Sequence, residues 1–308
     1  MDFVRLTING KEVEVQEGTS ILKAAEQAEI NIPRLCYDDS LEPVGACRLC
    51  VVEVKGARTL IPSCVAAVTP GMVVETESPT VIKARRMLLD LLLSNHPLDC
   101  LTCDKNGDCR LQEYAYRYDV KHSSFEGEKH NYLIDDSNPY IRRDMNKCIL
   151  CGKCVRTCAQ VKDRKVIGFA NRGFNTKITP AMYTELAESD CVSCARCLVV
   201  CPVGALTYNN LAGKGRTYEI RKERVTCSFC DAGCQFDLNY KGEQVIGVTA
   251  GAPGEGRPLC LKGRLGMELL YNDNPPTPML KKDDQFVEVS WVEALGMEGL
   301  LKKLMEQD

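Results

Sequence analysis

The sequence predicts an α+β chain built from several small modules, and three observations predict it. Nineteen cysteines in 308 residues fall into five groups. Short alternating strands and amphipathic helices replace one another over spans too short for a single large core. The cysteine groups lie in the loops between those elements, two of them as a 43-residue internal repeat of identical spacing. Expected boundaries are 1–78, 79–118, a linker at 119–139, 140–210, 218–272, and a tail with a terminal helix at 273–308.

In the first module, Phe3 to Ile8 and Val13 to Val15 alternate apolar and polar about Asn9-Gly10, a type I′ hairpin signal. Thr19-Ser20 then cap the amphipathic stretch ILKAAEQAEI. Later strands are expected at Leu49 to Val54 and Met72 to Thr76. Strand, hairpin, helix and cysteine loop is the order of a β-grasp scaffold, and Cys36, Cys47, Cys50 and Cys64 read as its 2Fe-2S ligands. The plant-type loop spaces its first cysteines C-x4-C-x2-C. Ten residues part Cys36 from Cys47 here, so a longer-loop variant is expected. Structural zinc is the competing reading.

Ser78-Pro79 and the apolar run to Leu93 predict a second helix, capped by serine with proline at its first position and ended by Asn95-His96-Pro97. His96 thus emerges at a helix terminus, where a loop delivers Cys100, Cys103 and Cys109. One imidazole and three thiols make a 4Fe-4S site, with a zinc ion the competitor. His122 and His130 have no cysteine neighbours and read as surface residues of the linker.

Cys148, Cys151, Cys154 and Cys158 repeat as Cys191, Cys194, Cys197 and Cys201. The C-x2-C-x2-C-x3-C run is that of bacterial ferredoxins, in which the fourth cysteine ligates the other cube. That rule groups Cys148, Cys151 and Cys154 with Cys201, and Cys191, Cys194 and Cys197 with Cys158. Pro202 follows the second run, whereas Ala159 replaces the proline of the first. Zinc ribbons use paired C-x2-C units, and three closely spaced knuckles exceed what a tetrahedral ion needs.

Cys227, Cys230, Cys234 and the distant Cys260 complete the inventory. Strand-like pieces at Thr217 to Arg221, Asp237 to Tyr240 and Gln244 to Thr249 suggest a small β-rich unit around them, with zinc again the rival. With His96, the nineteen thiols fill five four-ligand sites and leave none over.

Composition excludes other classes. The formal net charge of −3 provides no basic face for nucleic acid. The apolar stretches Leu88 to Leu93 and Cys197 to Leu206 fall far short of the roughly 20 residues that span a membrane. The opening MDFVRLTING lacks a signal core, so a cytoplasmic location without membrane insertion is expected. Gly251, Gly254 and Gly256, and the AGKG at 212–215, match no nucleotide-binding loop and read as turns.

The order of these motifs resembles the N-terminal part of the large iron-sulfur subunit of complex I, the electron-input half of iron-only hydrogenases, and NAD-linked formate dehydrogenase α subunits. The fifth group with Lys262-Gly263 resembles the 4Fe-4S domain that opens molybdenum or tungsten formate dehydrogenases, where the lysine stands between cluster and pterin. The run PPTPMLKKDDQFVEVSWVEAL resembles the start of the pterin domain. The segment after Cys260 is too short to hold that domain, and Ser290 with Glu293 is expected to form a capping box on a final helix. The resemblance implies one 2Fe-2S and four 4Fe-4S clusters. It implies a wire between an NAD(P)-binding flavoprotein subunit and a hydrogenase or formate dehydrogenase catalytic subunit, with room for a soluble ferredoxin and for electron bifurcation. A shortened formate dehydrogenase α subunit is the alternative. A redox sensor is a third reading, but it accounts for one labile cluster and not five.

Overall fold

The computed structural model describes residues 2–160, 164–251, 259–260, 262–264, 277–282, 285–294 and 296. It is a mixed α/β chain with small sheets. Strands β1 (Phe3–Ile8) and β2 (Lys11–Gln16) form the expected hairpin, with Asn9 at φ 50° and Gly10 at φ 79°. β1 also pairs in parallel with β5 (Val73–Glu75), and β3 (Val51–Val54) lies between β5 and the two-residue β4 (Ile61–Pro62). Helix α1 (Ile21–Gln27) covers this sheet. The Ser20 hydroxyl accepts from Lys23 N–H at 3.3 Å at its start, and Ile21, Leu22, Ala24 and Ala25 are buried beneath it.

Helix α2 spans Pro79–Asn95, capped by the Ser78 hydroxyl and closed at His96, as its punctuation requires. Its buried positions are Val81, Arg85, Leu89 and Leu93, four residues apart. A guanidinium therefore stands in the apolar stripe. Arg85 is 0 % exposed and donates to the carbonyls of Leu49 (3.0 Å) and Val51 (2.9 Å), to Glu77 (2.8 Å) and to the Tyr118 hydroxyl (2.8 Å). It binds α2 to β3 by satisfying carbonyls that the small sheet leaves open. Helix α3 (Arg110–Arg117) packs on α2 through Leu111 and Tyr114.

The segment before the cysteine repeat has little regular structure but is fastened along its length. Ser123 and Ser124 bind Asp90, Asn95 holds His130, and Asp135 pairs with Arg143. His122 is exposed. His130, expected at the surface, is half-buried between the rings of Tyr132 (4.8 Å) and Phe174 (4.2 Å).

β6 (Ile141–Arg143) and β9 (Leu206–Tyr208) pair across the repeat, a second hairpin joins β7 (Ile167–Ala170) to β8 (Lys177–Pro180), and the helices α4 (Lys153–Gln160) and α5 (Arg196–Val199) follow the two cysteine runs. Their unequal lengths follow from the sequence. Ala159 lets α4 continue to Gln160, whereas Pro202 disfavours helical geometry at Cys201 and α5 stops short of it.

The last sheet is antiparallel, β10 (Arg221–Thr226), β11 (Gln235–Lys241) and β12 (Gln244–Ala250). The strand expected from Thr217 instead begins at Arg221. Residues Thr217–Glu219 form a 3-10 turn because the Glu219 carboxylate caps the Arg216 N–H at 2.9 Å. In the tail the Ser290 hydroxyl accepts from Glu293 N–H at 3.1 Å and starts the helix Trp291–Ala294. Glu293 itself binds Lys282 at 2.7 Å. Gly254, Gly256 and most of the expected terminal helix lie outside the described residues.

Candidate iron-sulfur sites

All nineteen cysteines are reduced and none forms a disulfide. The first site sits where the 36–47 loop meets β3. Cys47 N–H donates to Cys36 Sγ at 3.4 Å, and the Cys50 and Cys64 sulfurs are 3.4 Å apart. The Cys47 thiol lowers Cys36 to about 6 and the Cys64 thiol lowers Cys50 to about 7, while Cys47 and Cys64 rise. Cys36 and Cys47 both act electrostatically on Cys64, so the four thiols form one group.

The loop's extra length has a use. It carries Cys36, Asp38, Ser40 and Glu42 onto α4, where Arg156 donates to the Cys36 carbonyl at 2.6 Å and to that of Glu42. Gln160 reaches the Ser40 carbonyl at 2.7 Å and Lys153 pairs with Asp38 at 2.9 Å. The first site is thereby brought near Cys151, whose thiol is influenced by Cys36.

At the second site His96, Cys100 and Cys109 line one cavity, with Cys103 close enough to act electrostatically on both cysteines. His96 Nδ1 lies 2.7 Å from the Pro97 carbonyl. Only an N–H can bond there, so Nδ1 carries the proton and Nε2 keeps its lone pair. Nε2 is buried with no hydrogen-bond partner among the described residues. Burial also holds the imidazole pKa below its ordinary value, against the pull of the Pro97 bond, and so favours the neutral ligand form.

The cysteine repeat makes two adjacent cavities. One is lined by Cys148, Cys151, Cys154 and Cys201, the other by Cys158, Cys191, Cys194 and Cys197. Each draws three thiols from one run and the fourth from the other. Arg143, Ile167 and Leu206 line both. The loops are built alike: Leu150 N–H donates to Cys148 Sγ and Ser193 N–H to Cys191 Sγ, each at 3.4 Å. Leu150 (φ 52°) and Gly152 (φ 70°) are left-handed, as are their repeat mates Ser193 (φ 51°) and Ala195 (φ 60°). Three of these four are not glycine, so each loop stores strain that its surroundings must offset. Sequence patterning misses this, because no glycine marks three of the turns.

Burial pushes Cys148 up to about 12 and Cys151 to about 11, and raises Cys154 and Cys197 well above the ordinary thiol value. Such thiols release their protons only to a metal, which couples loading to folding. The fifth site is more open. Cys227 and Cys234 are buried and joined by a 2.8 Å backbone hydrogen bond, while Cys230 and Cys260 are exposed. A Cβ placed on Gly263 would lie 3.4 Å from Cys227 Sγ, so the turn after Cys260 presses on this site; Lys262 is exposed.

These donors fit iron-sulfur clusters: soft thiolates in loops, a buried imidazole with a free lone pair, and cavities shared between two cysteine runs. Among the described residues no three His, Cys, Asp or Glu side chains close on one point as a single ion requires. No described helix is long and apolar enough to cross a membrane.

In class this is an iron-sulfur protein of several modules. Residues 2–79 match the model of a 2Fe-2S iron-sulfur cluster binding domain and residues 85–124 that of the NADH-ubiquinone oxidoreductase-G iron-sulfur binding region. Residues 147–205 match a 4Fe-4S dicluster domain and 220–272 a molybdopterin oxidoreductase Fe4S4 domain. The chain belongs to the family of complex I G-subunit-like iron-sulfur modules. It is 36 % identical over 297 residues to the second G-type subunit of the NADH-quinone oxidoreductase of Rhizobium meliloti, covering 95 % of this chain and 34 % of that one. It is 44 % identical over 212 residues to the NADP-reducing hydrogenase subunit HndD of Solidesulfovibrio fructosivorans, covering 67 % and 36 %. The structure of an NAD+-reducing NiFe hydrogenase in the H2-reduced state matches with a TM-score of 0.64 and 31 % identity, over 69 % of this chain and 90 % of that one. The chain spans about a third of the length of the curated relatives it matches.

Proposed function

We propose that this chain is an electron-transfer subunit of an NAD(P)-linked oxidoreductase, with one 2Fe-2S cluster on its β-grasp module and four 4Fe-4S clusters. Cys36, Cys47, Cys50 and Cys64 hold the first; His96, Cys100, Cys103 and Cys109 the second. Cys148, Cys151, Cys154 and Cys201 hold the third, Cys191, Cys194, Cys197 and Cys158 the fourth, and Cys227, Cys230, Cys234 and Cys260 the fifth. Bound there, clusters supply one-electron chemistry at potentials set by ligand charge, hydrogen bonding and burial.

The observation that carries the reading is the pair of neighbouring cavities, each lined by four thiols from both runs. The protein's own groups join the sites in series. Arg156 ties the first site's loop to α4. A Cβ on Gly204 would lie 2.7 Å from Cys103 Sγ, so the second site abuts the chain just after Cys201. Arg264 reaches from the fifth module to the loop of the fourth.

The partners in this reading are an NAD(P)-binding flavoprotein subunit and a catalytic metal subunit of hydrogenase or formate dehydrogenase type, in a cytoplasmic complex. The relatives named for NADH-quinone and NADP-reducing activity support the nicotinamide link. The molybdopterin-type match at 220–272 keeps a formate dehydrogenase α-subunit role as the second reading.

An anaerobic tagged pull-down from the native host tests this. About 18 irons per chain are expected. Flavoprotein with nickel assigns a hydrogenase, and flavoprotein with molybdenum or tungsten a formate dehydrogenase. Recovery of the chain alone, or far less iron, contradicts the proposal.

A further inference from the structure

The helical turn at 262–264 belongs to the fifth module, yet its last side chain serves a different site. Arg264 is 1 % exposed, among the largest fully buried side chains in the chain. Its Nη2 donates to the Ser193 carbonyl at 2.7 Å, and its guanidinium carbon lies 4.2 Å above the Tyr140 ring. Ser193 is the left-handed residue between Cys191 and Cys194. Its N–H donates to Cys191 Sγ, and its hydroxyl accepts from Asn138 at 2.9 Å.

Three bonds thus hold one strained residue, and the strongest comes from another module. A charge-assisted bond to the Ser193 carbonyl fixes the peptide whose neighbours are two ligand thiols. Burial raises the Cys194 thiol, and Arg196 and then Arg264 are the cations that oppose that rise. The contact is reinforced nearby, where the Tyr208 hydroxyl accepts from Ala250 N–H at 3.0 Å.

We propose that Arg264 is a positioning residue for the fourth site: it clamps the Cys191–Cys194 loop and places a buried positive charge beside the cluster that Cys191, Cys194, Cys197 and Cys158 hold, raising its midpoint potential. Reduction adds a negative charge, which a cation in a low-dielectric setting stabilises. Because Arg264 arrives with the fifth module, the potential of the fourth site depends on the docking of its neighbour. This inference rests on the cluster content proposed above.

The test uses the full chain, prepared anaerobically as wild type, Arg264→Gln and Arg264→Lys. Iron is counted, and each cluster's EPR signal is titrated against potential. Wild type lacking four distinct 4Fe-4S centres defeats the cluster reading itself. Given those centres, Arg264→Gln is expected to keep its iron and to show one 4Fe-4S signal displaced to lower potential, with the others in place and Arg264→Lys nearer wild type. Loss of one cluster from Arg264→Gln but not from Arg264→Lys also supports the charge role. Unchanged potentials in an iron-replete Arg264→Gln overturn the proposal. So does equal loss of a cluster from both variants, which would make the role purely architectural.

Discussion

Arg156 donates through Nη2 to the backbone carbonyl of Cys36 at 2.6 Å, across 120 residues of sequence. The bond joins a side chain of the ferredoxin-like repeat to the peptide of a ligand in the first module, and a second bond from the same guanidinium reaches Glu42. Bonds to charged donors contribute roughly 1.5–3 kcal/mol each when partly buried. Arg156→Met is therefore expected to loosen the 36–47 loop, with faster cleavage there in limited proteolysis and a thermal midpoint several degrees lower. It should also lower the potential of the 2Fe-2S centre, since a nearby cation is lost. Wild-type proteolysis and potential in the variant would show that the docking is incidental.

His96 offers a neutral ligand where the other 4Fe-4S sites have only thiols. With Nδ1 engaged by Pro97, Nε2 is the single atom free to bind iron. His96→Cys adds one negative charge to the site, so its midpoint potential should fall below wild type while iron content is retained. His96→Ala should lose that cluster and no other. A rise in potential in an intact His96→Cys protein would contradict the ligand assignment.

Much of this was legible in the sequence, because its strongest signals are local. Asn9-Gly10, Ser78-Pro79 and the paired cysteine runs act within a few residues and leave little choice of geometry. What the sequence concealed is the chemistry between modules. Arg85 occupies a helix position that patterning assigns to an apolar side chain, and it is buried because open carbonyls of Leu49 and Val51 await a donor. The same holds for Arg264, whose partner lies 71 residues away. Leu35, Leu49, Leu89, Leu111, Leu198 and Phe236 belong to one continuous core that crosses the expected module boundaries. No periodicity within a module announces such a core. Thr217 misled for the opposite reason, since a local cap by Glu219 overrode its strand propensity.

Gly204 is a contact residue for the second site. A Cβ there would meet Cys103 Sγ at 2.7 Å and the Lys147 stem at 3.4 Å. Lys147 cannot easily retreat, being buried and paired with Asp99 at 2.8 Å. Gly204→Ala should cost about 1–3 kcal/mol by overpacking. The cluster held by His96 should be lost first, seen as a missing EPR signal and a drop of about four irons per chain. An alanine variant with a full iron complement would show that Cys103 can move aside.

Asp135 and Arg143 make a 2.6 Å ion pair with only 12 % and 9 % of their side chains exposed. Arg143 lines both cavities of the cysteine repeat, so the pair fixes the wall between them. Burial alone would raise the Asp135 carboxyl, but the Ser137 hydroxyl and the Arg143 guanidinium outweigh it and hold the pKa below the ordinary carboxylate value. A depressed folded-state pKa stabilises the protein above the unfolded value of about 3.9 and ceases to do so as pH falls through the folded value. Asp135→Asn leaves the buried guanidinium without its counter-charge, which costs roughly 3 kcal/mol or more. At neutral pH the variant should unfold at lower urea and release its clusters sooner than wild type. Its deficit should stay constant down to about pH 5 and shrink below about pH 4, as wild type loses the same charge. Anaerobic urea midpoints across that range decide the matter, and a deficit that is absent at neutral pH or widens on acidification rules out the pair as a stabilising element.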